Sequence, residues 1–278
     1  MALLLDILTT VAVLYVVAAG LLLIFGVMKI INFAHGAFLT IGAYASLVAA
    51  QLGFSPWAGL PLALLAGGLA GMAIEWCVVR PLYARPLDAI LATWGLGIII
   101  GQLITLGFGR EVKFVASPVQ GTLAVLGTDY SAYRLLLVGA AALIGTVMAA
   151  LLTRTRFGLV TRAVIMNEQL ARGLGINSGV VRFATFSVGA GLGSLAGALI
   201  TPLSSVDPNM GVPWLVNAFM LVMVSGSSMA SLLLATFVFG AVQVLLSTFV
   251  SPILGGLAIA VLAAITLRIR PKGFAHGG

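Results

Sequence analysis

Charge is what this chain has least of. Its 278 residues hold seven Asp and Glu and 14 Lys and Arg, only 8% charged in all, where soluble domains carry about 25%. A soluble core cannot absorb a composition that is 61% hydrophobic, so lipid must be the solvent. The single cysteine, Cys77, excludes an internal disulfide and a cysteine metal cluster. With only two histidines, His35 and His276, a metal site or a serine–histidine–acid triad would depend on His35, and no acid lies near it in sequence. No Gly-x-x-x-x-Gly-Lys-Ser/Thr loop is present, so this chain cannot cradle ATP by that motif. Neither His-Glu-x-x-His nor Cys-x-x-Cys occurs. Asp6 and Asp88 sit at span ends and Glu75 within a turn or two of one. Proton- or sodium-coupled carriers place carboxylates near the membrane centre, so energy is expected from elsewhere. The shortage of acid–base groups also argues against a membrane enzyme. The net charge of +7 does not imply nucleic-acid binding, because the cations gather in loops.

Apolar runs dominate what is there. A spanning helix needs about 20 apolar residues, and candidates lie at 6–28, 33–52, 56–79, 88–109, 134–153, 183–204, 213–250 and 253–267. The first run lacks a basic leader and exceeds the length of a signal peptide, so it reads as a first span. The 213–250 run is too long for one span and suggests a helix plus a half-helix. The expected fold is one all-α transmembrane bundle over 1–278, with eight or nine spans and room for broken or re-entrant helices. Basic residues orient it. Segment 154–182 holds Arg154, Arg156, Arg162, Arg172 and Arg182 against Glu168, and the tail adds Arg268, Arg270 and Lys272. Both are expected in the cytoplasm, with Arg80 and Arg85 on the same side and the N-terminus outside. The 110–133 loop is then external, although Arg110, Lys113 and Arg134 weaken that placement. Small-residue runs, LAGGLAG at 65–71 and GAGLGSLAG at 189–197, suit close helix packing.

Segment 154–182 is the most informative polar stretch. Ala163, Asn167, Leu170, Ala171 and Leu174 recur at helical spacing, flanked by Arg162, Glu168 and Arg172. The pattern predicts one amphipathic helix from about Arg162 to Leu174, stopped by Gly173, Gly175 and Asn177. It could be a solvated connector, a helix lying on lipid, or one that docks into a groove on a cytoplasmic partner.

The loop resembles the coupling segment of bacterial ATP-binding-cassette importer permeases, with Glu168, Ala171 and Gly175 following their Glu-Ala-Ala-x-x-x-Gly pattern. The whole chain resembles the branched-chain amino-acid permease family, in its high-affinity leucine permease branch. The stretches that carry this are GVMKIINFAHGAFLTIGAY (26–44), RPLYARPLDAILATWGLGIII (80–100), RAVIMNEQLARGLGIN (162–177) and GLGSLAGALITPLSSVDPNMG (191–211). The resemblance implies a complex with a second permease, or a second copy of this one. It also implies two cytoplasmic ATPase subunits that bind ATP and magnesium, a periplasmic binding protein, and a bacterial inner-membrane location. This chain would hold no cofactor and would work by alternating access, with Arg162, Asn167, Glu168, Ala171 and Gly175 coupling it to the ATPases. The family's Gly-Gly-x-Gly-Ser is replaced here by VMVSGSSMAS (222–231), which keeps only Gly226.

Asn32 and His35, three residues apart, would share a helical face. Either Lys29 to Gly36 is a cytoplasmic corner with Asn32 capping the next helix, or both residues line the translocation path of a broken helix. Asn217, in a short echo at 215–227, is a further path candidate. Thr93 and Trp94 are either a helix-bonded threonine and an interfacial anchor or part of the same path. Their Ala-Thr-Trp-Gly context also resembles the urea and short-chain amide branch, so such a cargo remains an alternative. A stand-alone channel or ion-coupled carrier is the alternative of a different class.

Overall fold

The computed structural model describes residues 1–125, 127–271 and 273–274; Lys272 and His276 lie outside the described residues. The helices are α1 (Ala2–Met28), α2 (His35–Gln51), α3 (Gly59–Ile74), α4 (Pro86–Phe108), α5 (Ala132–Arg154), α6 (Arg156–Met166), α7 (Glu168–Gly173), α8 (Ser178–Ile200), α9 (Gly211–Ser225), α10 (Met229–Phe249) and α11 (Pro252–Ile269). Among the described residues, seven helical stretches are long and apolar enough to cross a membrane. The shorter α2 and α9 have 17 and 15 residues. Together they make nine candidate membrane segments among the described residues, within the expected eight or nine. The 213–250 run divides at Gly226, whose φ of 65° an L side chain resists. Here the family's missing glycines have a different solution: Ser228 accepts a hydrogen bond from the Ser231 N–H and starts α10.

Outside the helices, β1 (Thr122–Val125) and β2 (Thr128–Ser131) form an antiparallel hairpin, Thr122 opposite Ser131. It belongs to the loop read as external.

α1 is almost wholly buried and forms the axis around which α5, α8, α9 and α10 pack. The small-residue runs meet each other. A Cβ at Gly67 would strike the Ser194 side chain and one at Gly71 would strike Ala190, so α3 and α8 touch along their glycine faces. A Cβ at Gly42 would overlap the Ser194 carbonyl, and one at Gly197 the Leu39 carbonyl, which fixes α2 against α8 just as closely.

The basic residues collect at one end of the bundle. Lys29, Arg80, Arg85, the arginines of 154–182, Arg268 and Arg270 all lie at helix ends that meet there. Among the described residues only Arg110, Lys113 and Arg134 fall at the other end.

Candidate functional site

The chain breaks between α1 and α2. Lys29 closes α1 in the left-handed conformation, φ 53°. Residues 30–34 then run back up the side of the bundle without helical structure. Their destination is set by His35, whose Nε2 lies 2.9 Å from the Val17 carbonyl. Val17 stands eleven residues before the end of α1, a rise of about 16 Å at 1.5 Å per residue. Half of a hydrocarbon core is about 15 Å, so α2 starts near mid-depth and not at the end of the bundle where α1 stops. Asn32 does not cap α2, whose N-cap is Ala34; its Oδ1 accepts from the Ala34 N–H at 3.1 Å and tightens the turn just before the helix.

A carbonyl only accepts, so His35 Nε2 carries the proton and Nδ1 is left with a lone pair. His35 is fully buried, and Nδ1 has no hydrogen-bond partner among the described residues. Asn32 Nδ2, also buried, has none either. Leaving such a group unpaired costs about 1–3 kcal/mol, so each of these two atoms calls for a bound water, ion or ligand as its partner.

Thr93 joins this junction and Trp94 does not. The Thr93 hydroxyl donates to the Ile90 carbonyl at 2.9 Å and accepts from the Phe33 N–H at 3.2 Å. Trp94 is 58% exposed on the outer face of α4. The third wall is α9, whose first residue, Gly211, donates its N–H to Thr40 Oγ1 at 3.3 Å. A Cβ at Gly211 would overlap the Gly36 carbonyl. Two half-length helices, α2 and α9, therefore bring their N-termini together at mid-depth, the construction that broken-helix transporters use. Asn217 lies farther along α9, half-buried; Phe219, two residues on, meets the Phe33 ring at 6.2 Å.

The basic loop differs from its sequence pattern. One helix was expected from Arg162 to Leu174, but there are two. Asn167 adopts an extended conformation, φ −155°, ends α6 and caps α7 by accepting from the Leu170 N–H at 3.0 Å. An asparagine side chain competes for backbone hydrogen bonds, and here it wins over continued helix. The break splits the supposed stripe. Ala171 turns inward, 2% exposed, among Val27, Val164 and Val181. Leu170 and Leu174 turn outward, 62% and 74% exposed, with Met166 at 84%. Arg162 and Arg172 are exposed beside them, and Gly175 forms the turn into α8 with φ 84°.

Glu168 is not free for a partner: it pairs with Arg182 at the start of α8. The Arg182 guanidinium lies 4.4 Å from the centre of the Tyr83 ring, and the Tyr83 hydroxyl donates to Glu75. Burial first, then the Glu75 carboxylate, pushes the Tyr83 phenol well up, so it stays a donor. Glu75 itself is buried in a π-helical turn at residues 75–79 that extends α3, a geometry often found at functional sites. Sequence spacing could not reveal this chain of contacts, whose members lie far apart in sequence. Among the described residues, no cluster of three or more His, Cys, Asp or Glu could hold a metal.

A buried central helix, two half-helices meeting at mid-depth and a basic loop at one end define a multi-pass membrane permease. A family model described as "Branched-chain amino acid transport system / permease component" matches residues 3–269, and the chain belongs to that family. It is 24% identical to the probable branched-chain amino acid transport permease protein LivH of Methanocaldococcus jannaschii, over 94% of this chain and 87% of the relative. It is 26% identical to the high-affinity branched-chain amino acid transport system permease protein LivH of Salmonella typhimurium, over 92% and 89%. It shares its fold with a solved structure of PsaBC from Streptococcus pneumoniae in complex with Fab, at a TM-score of 0.53 and 15% identity, covering 98% of this chain and 93% of that one. The chain is thus a transport component and not an enzyme.

Proposed function

We propose that this chain forms half of the translocation path of an ATP-binding-cassette importer for branched-chain or other small neutral amino acids. Its partners are a second permease or a second copy, two cytoplasmic ATPases that bind ATP and magnesium, and a periplasmic binding protein. It sits in the bacterial inner membrane with its N-terminus periplasmic and its C-terminus cytoplasmic. The observation that carries the reading is the two-helix loop. Leu170, Leu174 and Met166 are presented outward at the basic end, where an ATPase groove would cover them. The same loop is tied inward through Glu168, Arg182, Tyr83 and Glu75 to α8 and α3. Movement of an ATPase against Leu170 and Leu174 would thus pull on the spans. ATP closing the ATPase dimer would drive alternating access at the α2–α9 junction.

The two LivH relatives are named for branched-chain amino acids, which supports that cargo over urea or amides. The test is copurification. Both ATPases should remain bound to the wild-type chain and be lost from Leu170→Asp. Equal retention by the variant would remove the loop from the coupling role.

A further inference from the structure

We propose that the outer end of the permease carries a recognition site for a free α-amino acid zwitterion with a branched apolar side chain. The proposal rests on the importer reading above and names where that machine would read its cargo.

A cavity of about 260 Å³ lies between the outer halves of α1, α5, α8, α9 and α10. That is just under the roughly 300–1,000 Å³ of drug-sized pockets, and it suits a smaller ligand. At its mouth Asp6, in the second turn of α1, meets Arg134 in the first turn of α5, Nη1 to Oδ1 at 2.9 Å. Asp6 Oδ1 also accepts from the Tyr130 hydroxyl at 2.8 Å. Both charged side chains remain close to half exposed. The guanidinium has five N–H donors and commits one of them to Asp6, so donors remain for a ligand carboxylate. The second Asp6 oxygen can accept from a ligand ammonium. An anion and a cation in direct contact are the spacing at which one α-carbon can present its ammonium to the first and its carboxylate to the second.

Deeper in the cavity the chemistry changes. Gln243 Oε1 is buried without a hydrogen-bond partner among the described residues, although it lines the cavity. It is an unmet acceptor on the cavity wall, available to an N–H of a ligand. The rest of the wall is mostly apolar, with Val13, Leu14, Ile200, Leu203 and Trp214 beside the hydroxyl residues Thr9, Thr10 and Ser204. Paired charges beside an apolar wall fit an amphiphile with both charges at one end and a branched chain at the other. Urea has no use for the apolar wall and a sugar none for the paired charges. Trp214 also belongs to α9, the helix that begins beside Gly36 at mid-depth, so a ligand here would touch one of the two half-helices of the junction.

The probe is L-leucine, titrated into the purified permease complex without binding protein, with Trp214 fluorescence as readout. Leucine should change the emission, and Trp214→Phe should abolish the change. Arg134→Gln and Asp6→Asn should each raise the half-saturating concentration about tenfold or more, as for a lost charge-assisted bond. Those two variants also cut a tie between α1 and α5, so Gln243→Leu is the second arm. It leaves the ion pair intact and should also weaken binding. Isopentylamine and 4-methylpentanoate, each lacking one charge, should bind at least about tenfold more weakly than leucine. Equal binding of either analogue, or no Trp214 response at all, would overturn the site. ATP-driven leucine uptake by the reconstituted importer separates the two levels. Uptake with a silent Trp214 removes this site and leaves the importer reading standing, whereas no uptake removes the importer reading itself.

Discussion

Leu170 and Ala171 are neighbours that face opposite ways, and a pair of substitutions should separate them. Ala171 packs against Val27 of α1 and Val181 of α8. Ala171→Trp should therefore destabilise the permease itself, by about 1–3 kcal/mol or more for overpacking a close-packed site. Leu170→Asp touches only the exposed side of α7 and should leave the melting temperature unchanged while abolishing ATPase copurification. Thermal unfolding in detergent and pull-down, run on both variants, check the division. The glycines at the helix crossings give a second residue-level prediction. Gly42→Val would drive a branched side chain into the Ser194 backbone, and backbone cannot rotate away. We expect loss of folded protein in the membrane, read by fluorescence-detected gel filtration. Gly139→Val, with open space around that position, should behave as wild type.

Elements were more legible in the sequence than their interruptions. The apolar runs located α1, α3, α4, α5, α8 and α11 within a few residues, because a membrane span must be long and uncharged. The over-long 213–250 run correctly announced a helix and a half-helix. The α6–α7 break escaped because helical periodicity runs straight through it, although Asn167 followed by Glu168 is a helix-start signal in its own right. The depth of His35 could not be read, because it depends on a hydrogen bond to Val17. The Asp6–Arg134 pair also escaped, since 128 positions separate its members; a lone acid and a lone base at two apolar span ends were the only hint. An element-scale prediction follows from the break. Asn167→Ala removes the α7 cap, at about 0.5–2 kcal/mol. It favours one fused helix and so turns Leu170 and Leu174 away from their present face. ATPase binding should weaken, and the solvent accessibility of cysteines placed at Leu170 and Leu174 should fall relative to the same cysteines with Asn167 intact.

At the scale of the whole molecule, the segregation of basic residues supports the proposed orientation, with the basic end in the cytoplasm. Gln169 is exposed on α7. With Cys77, itself exposed, replaced by serine, Gln169→Cys should react with a membrane-impermeant thiol reagent in inside-out vesicles and stay silent in intact cells. Reaction in intact cells would invert the bundle and move the proposed leucine site to the cytoplasm.

The central claim is that this chain is a path without a motor, and one flux measurement tests it most directly. The chain is reconstituted with its partner permease, the two ATPases and the binding protein, and radiolabelled leucine uptake is followed with and without ATP. Concentrative uptake is expected only with ATP and only with the ATPases present. Uptake driven by a proton or sodium gradient with the ATPases omitted would contradict the claim and make the chain a carrier in its own right.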